Sequence, residues 1–218
     1  MTDRRRFLQQ LAVGTAGLSL PGLSAAQLNA QRVPHGQSRA LNVLVLGGTG
    51  FLGPHIVNAL VTRGHRVAIL TRGQREPSLY EESYAGVEHL IGDRAQPDGL
   101  NALRGRTWDV VMETSGYRHP WTRDAVAQLR GSSDLYLYVS STGVFWPYRT
   151  VDIAEDGPIP LVDTPPQDQP SYGVMKALSE NEVRSGFPDG AIIVRPGYIV
   201  GPGDTSDRWT YWPVRIAR

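Results

Sequence analysis

The segment "SYGVMKALSE" carries Tyr172 and Lys176 four residues apart, a spacing that puts both on one face of a helix. A phenol with its ordinary pKa of about 10 is a poor base at neutral pH. A neighbouring ammonium favours the phenolate and lets the tyrosine take or give a proton. Upstream, "YLYVSSTGVF" sets Ser140, Ser141 and Thr142 directly after an apolar run, where a hydroxyl can hold a substrate oxygen. Hydroxyl, phenol and ammonium together can move a proton while a hydride moves to or from the same carbon. A hydride carrier needs a seat, and "NVLVLGGTGFLG" offers one, with Gly47, Gly50 and Gly53 between an apolar stretch and a helical pattern. The first glycine allows a tight turn, the second lets backbone N–H groups approach a pyrophosphate, and the third packs helix against sheet. The spacing is GxxGxxG rather than GxGxxG, and no GKS or GKT marks a triphosphate loop.

The next apolar run ends "VAILTRGQRE", offering Thr71, Arg72 and Arg75 where an acid would hold the ribose hydroxyls of NAD. Arginine can pair with a 2′-phosphate that a carboxylate would repel, so NADP is expected ahead of NAD. The alternative is that Arg72 and Arg75 are solvated loop charges. In "IGDRAQ", Asp93 can accept from an adenine amino group, or it can form an Asx turn or helix cap ahead of Leu100.

These residues need a frame. From Leu41 onward, short apolar runs alternate with helical patterns. Strands are expected at 42–46, 66–70, 87–91, 108–113, 135–140 and 191–195, with helices at 51–63, 121–130 and 170–185. Near-continuous apolar strands between helices indicate an α/β fold, a Rossmann-type doubly wound parallel sheet. In such sheets ligands bind outside the carboxyl ends of the strands. Each motif above falls just after a strand.

A chain of 218 residues, 40% hydrophobic and 20% charged, fits one globular domain. Its net charge of +1 argues against a nucleic-acid surface driven by bulk charge. With no cysteine, disulfides and thiolate sites are excluded. His55, His89 and His119 lack ligand spacing, so no metal site is expected. Asp152, Glu155 and Asp156 form either an acid/base pair or, as the blander reading, solvated loop charges. Trp146, Tyr148, Trp209, Tyr211 and Trp212 line a sugar-like substrate site or pack at a lobe or dimer contact. No GxSxG elbow exists and Ser141 has no nearby histidine, which argues against a hydrolase. The start, "MTDRRRFLQQLAVGTAGLSLPGLSAAQ", has Arg4, Arg5 and Arg6 before a mildly apolar stretch and small residues. That is an export-signal layout over 1–26, of the twin-arginine kind, with a leader over 27–40 and the domain over 41–218. The mature chain would be periplasmic or extracellular, with no membrane anchor after cleavage.

"GGTGFLG", "GDR", "VSSTGVF", "YGVMK" and "VRPGYIVGPGD", in that order, resemble the extended short-chain dehydrogenase/reductases of the NAD-dependent epimerase/dehydratase family. "EHLIGDR", "WDVVMETSGY" and "DTSDRWTYWP" further resemble the subgroup with chloroplast stem-loop-binding proteins. The resemblance implies Ser141, Tyr172 and Lys176 as catalytic residues, Lys176 also touching the nicotinamide ribose. It implies a cofactor cleft lined by Gly47, Thr49, Gly50, Phe51, Leu52, Gly53, Arg72, Asp93, Arg94, Thr114, Ser115 and Pro196. The implied activity is hydride transfer on a carbonyl or sugar substrate, such as a nucleotide sugar, with a homodimer as the expected partner state. The other reading is a non-catalytic binding module for RNA or protein. Family members usually continue into a substrate lobe, which is expected to be largely missing here. Truncated gene, fragment and short protein stay open as explanations.

Overall fold

In a computed structural model, the described residues are 39–148, 151–161, 171–206, 208 and 210–217. The expected signal at 1–26 and leader at 27–40 therefore lie outside the described residues, apart from 39 and 40. Ala40–Arg218 form one compact unit. Its elements are β1 (Asn42–Leu46), α1 (Gly53–Thr62), β2 (Arg66–Thr71), β3 (Glu88–Ile91), β4 (Trp108–Glu113) and α2 (His119–Leu129). They continue with β5 (Ser133–Val139), α3 (Tyr172–Gly186), β6 (Ala191–Val194) and α4 (Tyr211–Ile216). Short 3-10 turns stand at Glu81–Tyr84, Asn101–Leu103 and Thr142–Phe145. Among the described residues, no helix is long and apolar enough to cross a membrane.

The six strands form one sheet in the order β3-β2-β1-β4-β5-β6, every pair parallel. The expected doubly wound sheet is what the chain forms. Alternation along β1 explains the two covered faces. Val43 and Val45 join Val57, Val67, Ile69, Tyr84 and Val87 under α1 and the 81–84 turn. Leu44 and Leu46 point the other way, into a cluster with Val111, Leu129, Tyr136 and Val183 beneath α2 and α3. Each fully buried aliphatic side chain contributes about 1.5–3 kcal/mol. The order in which strands are added switches sides of β1 between β3 and β4, so a crevice opens at the carboxyl ends of β1 and β4.

Element ends differ from expectation by one to two residues, for identifiable reasons. The first helix starts at Gly53 rather than Phe51, because Gly53 is pressed onto the glycine turn before the helix can begin. It stops as expected ahead of Gly64, whose φ of +79° suits a residue without Cβ. Helix α3 starts at Tyr172 because the Ser171 hydroxyl accepts from Val174 N–H and caps it. Helix α2 begins at His119, two residues early, with Pro120 in its first turn.

Candidate active site

The carboxyl ends of the strands open into a cleft of about 530 Å³, and all the candidate cofactor and catalytic residues named above line it. Its floor is the turn after β1. Gly47 and Gly48 have φ of +116° and +114°, conformations that side chains rarely adopt. A Cβ on Gly53 would lie 2.2 Å from the Gly48 carbonyl carbon, so only glycine lets α1 pack this close. A Cβ on Gly50 would meet nothing within 4 Å, leaving open space for a ligand group against bare backbone. The turn therefore fits a dinucleotide pyrophosphate at the start of α1, with Thr49, Phe51 and Leu52 beside it. Gly48 was not among the expected residues, although the double glycine was visible in the sequence. The buried Tyr84 hydroxyl donates to its carbonyl and holds the turn from below.

Thr114 and Ser115 form the wall after β4, both hydroxyls donating to the Leu46 carbonyl, at 3.2 and 2.9 Å. Arg72, Gln74 and Arg75 stand exposed at the rim after β2. Asp93 lines the cleft and also forms the Asx turn, its Oδ1 accepting from Ala95 N–H at 3.0 Å. Arg94 has a structural role as well. It lines the cleft, but its guanidinium donates to the Glu113 carboxylate and to Ser115 Oγ and carbonyl, the latter two at 2.7 and 2.6 Å. A fully buried carboxylate needs a counter-charge. Arg94 supplies it and braces the wall from within the cleft.

At the other end, Gly173 brings α3 against the 142–145 turn, since a Cβ there would lie 2.2 Å from the Gly143 carbonyl oxygen. That approach sets the Tyr172 phenol beside Ser141. The hydroxyls of the serine pair diverge. Ser140 Oγ is buried and donates to Glu180 Oε1 at 2.5 Å, whereas Ser141 Oγ accepts from Gly143 N–H and faces Tyr172. Lys176 is the single lysine of the chain. It is 4% exposed and donates from Nζ to the Val139 carbonyl at 2.7 Å, with the Tyr138, Tyr172 and Tyr117 rings 4.7, 5.8 and 6.0 Å away. Burial pushes its pKa down to about 8, opposed by the Glu113 and Glu180 carboxylates. Burial also raises the Tyr172 phenol, against a lowering hydrogen bond with Ser141.

Pro196 ties in from β6, its carbonyl accepting from Thr142 N–H at 3.0 Å, and Gly197 and Ile199 extend that wall. Asp152, Glu155 and Asp156 are exposed on their loop and do not line the cleft, nor do Trp146, Tyr148 or Tyr211. Trp209 and the Trp212 side chain lie outside the described residues. Sequence reasoning missed Tyr117, and also the buried carboxylates Glu113 and Glu180. A lone acid closing the apolar run "WDVVME", and another one helical turn beyond Lys176, were the available signals.

Known proteins match this chain in sequence and in fold. The chain is 31% identical over 173 residues to 2'-dehydrokanamycin reductase of Streptomyces kanamyceticus, covering 77% of this chain and 45% of that protein. It is 29% identical over 188 residues to the chloroplast stem-loop binding protein of 41 kDa b of Arabidopsis thaliana, covering 81% and 47%. The chain thus spans about half the length of these curated relatives. Among solved structures, the fold matches the Bordetella bronchiseptica enzyme WbmH in complex with NAD+ with a TM-score of 0.64 at 16% identity, covering 82% of this chain and 62% of that one. It matches a UDP-galactose 4-epimerase at 0.61 and 20% identity, covering 80% and 61%. Residues 43–216, from β1 through α4 and including every cleft wall described above, match the NAD dependent epimerase/dehydratase family, and the chain belongs to that family.

Proposed function

We propose that this protein is an oxidoreductase- or epimerase-type enzyme that acts on a carbonyl or carbinol carbon of a small, sugar-like molecule, with Tyr172 as acid/base. The observation that carries this reading is the meeting of Ser141, Tyr172 and Lys176 at one end of a cleft floored by the glycine turn. A nicotinamide dinucleotide, when bound, supplies or accepts the hydride. Gly47–Gly53 would hold its pyrophosphate, and Thr114, Lys176 and Pro196 would line its nicotinamide end. Ser141 orients the substrate oxygen, and Tyr172 gives that oxygen its proton or takes it back. Lys176, held under the sheet end by Val139, contributes positive charge behind the phenol. The near-neutral net charge speaks against the RNA-binding alternative. Purified protein that binds neither NADPH nor NADH, and turns over no carbonyl or sugar substrate, would reject the enzyme reading in favour of a binding module.

The cofactor is proposed to be NADP(H) rather than NAD(H). Thr71 ends β2 where an acid would favour NAD, and the exposed Arg72 and Arg75 flank the rim. A hydrogen bond to a charged group contributes about 1.5–3 kcal/mol, roughly tenfold or more in affinity. Arg72→Glu should therefore weaken NADPH by that factor and turn the preference to NADH. Fluorescence titration of both nucleotides checks it. Tighter NADH binding by the wild type would remove the basis for the assignment.

Export is proposed by the twin-arginine route, on the leader sequence alone. A route that carries folded protein reconciles a periplasmic address with a cofactor made in the cytoplasm. Ligand that binds only the native state adds about 2.7 kcal/mol at a hundredfold excess over its Kd. Changing Arg4, Arg5 and Arg6 together to Lys should strand the precursor in the cytoplasm with cofactor bound. Unchanged export on cell fractionation, or periplasmic protein always free of nucleotide, would count against it.

A further inference from the structure

Helix α3 carries two of the three catalytic candidates, yet the third stands on another element and the Pro196 wall on a further one. Something must fix their spacing. Glu180 lies one turn beyond Lys176, with its side chain 1% exposed. Its Oε1 accepts from Ser140 Oγ at 2.5 Å and from Arg195 Nε at 2.8 Å, and its Oε2 accepts from Arg195 Nη2 at 2.6 Å. Arg184, one turn further along, reaches the same Oε2 at 3.5 Å. Arg195 also donates to the Glu155 carbonyl and stacks 5.0 Å from the Phe145 ring centre. One carboxylate therefore joins the helix bearing Tyr172 and Lys176, the residue before Ser141, and the residue before Pro196.

Resting on the proposed function above, we infer that Glu180 is the positioning residue of this site, locking α3 to the 140–142 turn and to the end of β6. It touches neither substrate nor cofactor. Its action is to hold the Ser141 hydroxyl, the Tyr172 phenol and the Lys176 ammonium in register. A buried bidentate pair is a costly way to gain stability, since apolar residues of equal volume often serve as well. What such a pair provides is geometry, because two parallel hydrogen bonds between a planar guanidinium and a carboxylate fix their mutual orientation. Burial alone would raise the Glu180 carboxyl, but the Arg195 and Ser140 donors hold it below its ordinary value, so it stays charged. That charge also supports the Lys176 ammonium, together with Glu113 of β4 and against Arg94. The other groups around Nζ are the Val139 carbonyl and the rings of Tyr117, Tyr138 and Tyr172.

The single lysine makes the test direct. In full-length protein carrying isotope-labelled lysine, one side-chain resonance reports Lys176 alone. In the wild type its titration is expected near pH 8. Addition of NADPH should shift the resonance. Glu180→Gln keeps the shape and loses the charge, so its midpoint should move to lower pH. Glu180→Asp keeps the charge and loses the reach, so its midpoint should stay near the wild-type value. Its NADPH-induced shift should be reduced or split, while nucleotide affinity stays within a few-fold. Wild-type midpoints and wild-type NADPH shifts in both variants overturn the proposal. Should either fail to fold on thermal denaturation, Ser140→Ala cuts only the serine arm, and a wild-type NADPH shift in that variant is equally contrary. A wild type that never responds to NADPH rejects the dinucleotide reading, while the nucleotide-free Lys176 resonance still decides for Glu180 if it moves or splits in Glu180→Asp, and against it if it matches the wild type.

Discussion

Tyr172→Phe is expected to lower kcat by roughly 10²–10⁴-fold, the range a positioned general acid–base contributes, while NADPH affinity stays within a few-fold. The separation follows from where the groups sit. The hydroxyl that is lost faces Ser141 at the catalytic end, and the pyrophosphate seat is the glycine turn after β1. The ring remains to line the cleft, so only the proton transfer disappears. Lys176→Ala should damage both functions, because Nζ stands beside the phenol and where the nicotinamide ribose would lie. It also leaves the Val139 carbonyl without its donor. Burial raises the phenol, which disfavours the phenolate that oxidation of an alcohol would need. In the oxidative direction the rate should rise with pH as the phenol ionises. Steady-state kinetics with a found substrate, beside nucleotide titration, checks the set. Full activity in Tyr172→Phe would show that another group moves the proton.

The sheet and the glycine turn were legible because their signals are local. Val43–Leu46 is apolar at every position, as a strand covered on both faces must be, and the glycines follow at once. Tyr172 and Lys176 were equally local, one helical turn apart. The bracing carboxylates were not, because their partners are distant in sequence. Glu113 meets Arg94 and Tyr136 19 and 23 residues away, and Glu180 meets Ser140 at a distance of 40. Those contacts exist only once β1, β4, β5 and β6 lie in their observed order. Without them Arg94 reads as a loop cation after a strand, free to bind a ligand. Spacing likewise placed an ammonium near the phenol, but it could not show Nζ anchored on the Val139 carbonyl.

Arg94→Ala should be the most destabilising single change in the cleft that leaves the proposed catalytic groups in place. Glu113 is wholly buried at the end of β4 and accepts from Arg94, from Tyr136 Oη at 2.7 Å and from Thr122 Oγ1 at 3.1 Å. Removing the guanidinium leaves two neutral donors to hold a buried charge. It also unties Ser115, whose hydroxyl and carbonyl both receive from Arg94. Breaking one side of a buried pair costs about 3–5 kcal/mol, and in a domain of this size that lowers Tm on the order of 10 °C. The matching double change, Arg94→Met with Glu113→Leu, removes both charges and should recover at least half of the loss, as apolar replacement of a whole pair often does. Denaturant unfolding of the wild type, both single variants and the double variant closes the cycle. A loss below about 1 kcal/mol for Arg94→Ala, the level of an exposed ion pair, would mean that Tyr136 and Thr122 suffice for Glu113. Arg94 would then be released for the ligand contact that its place after β3 first suggested.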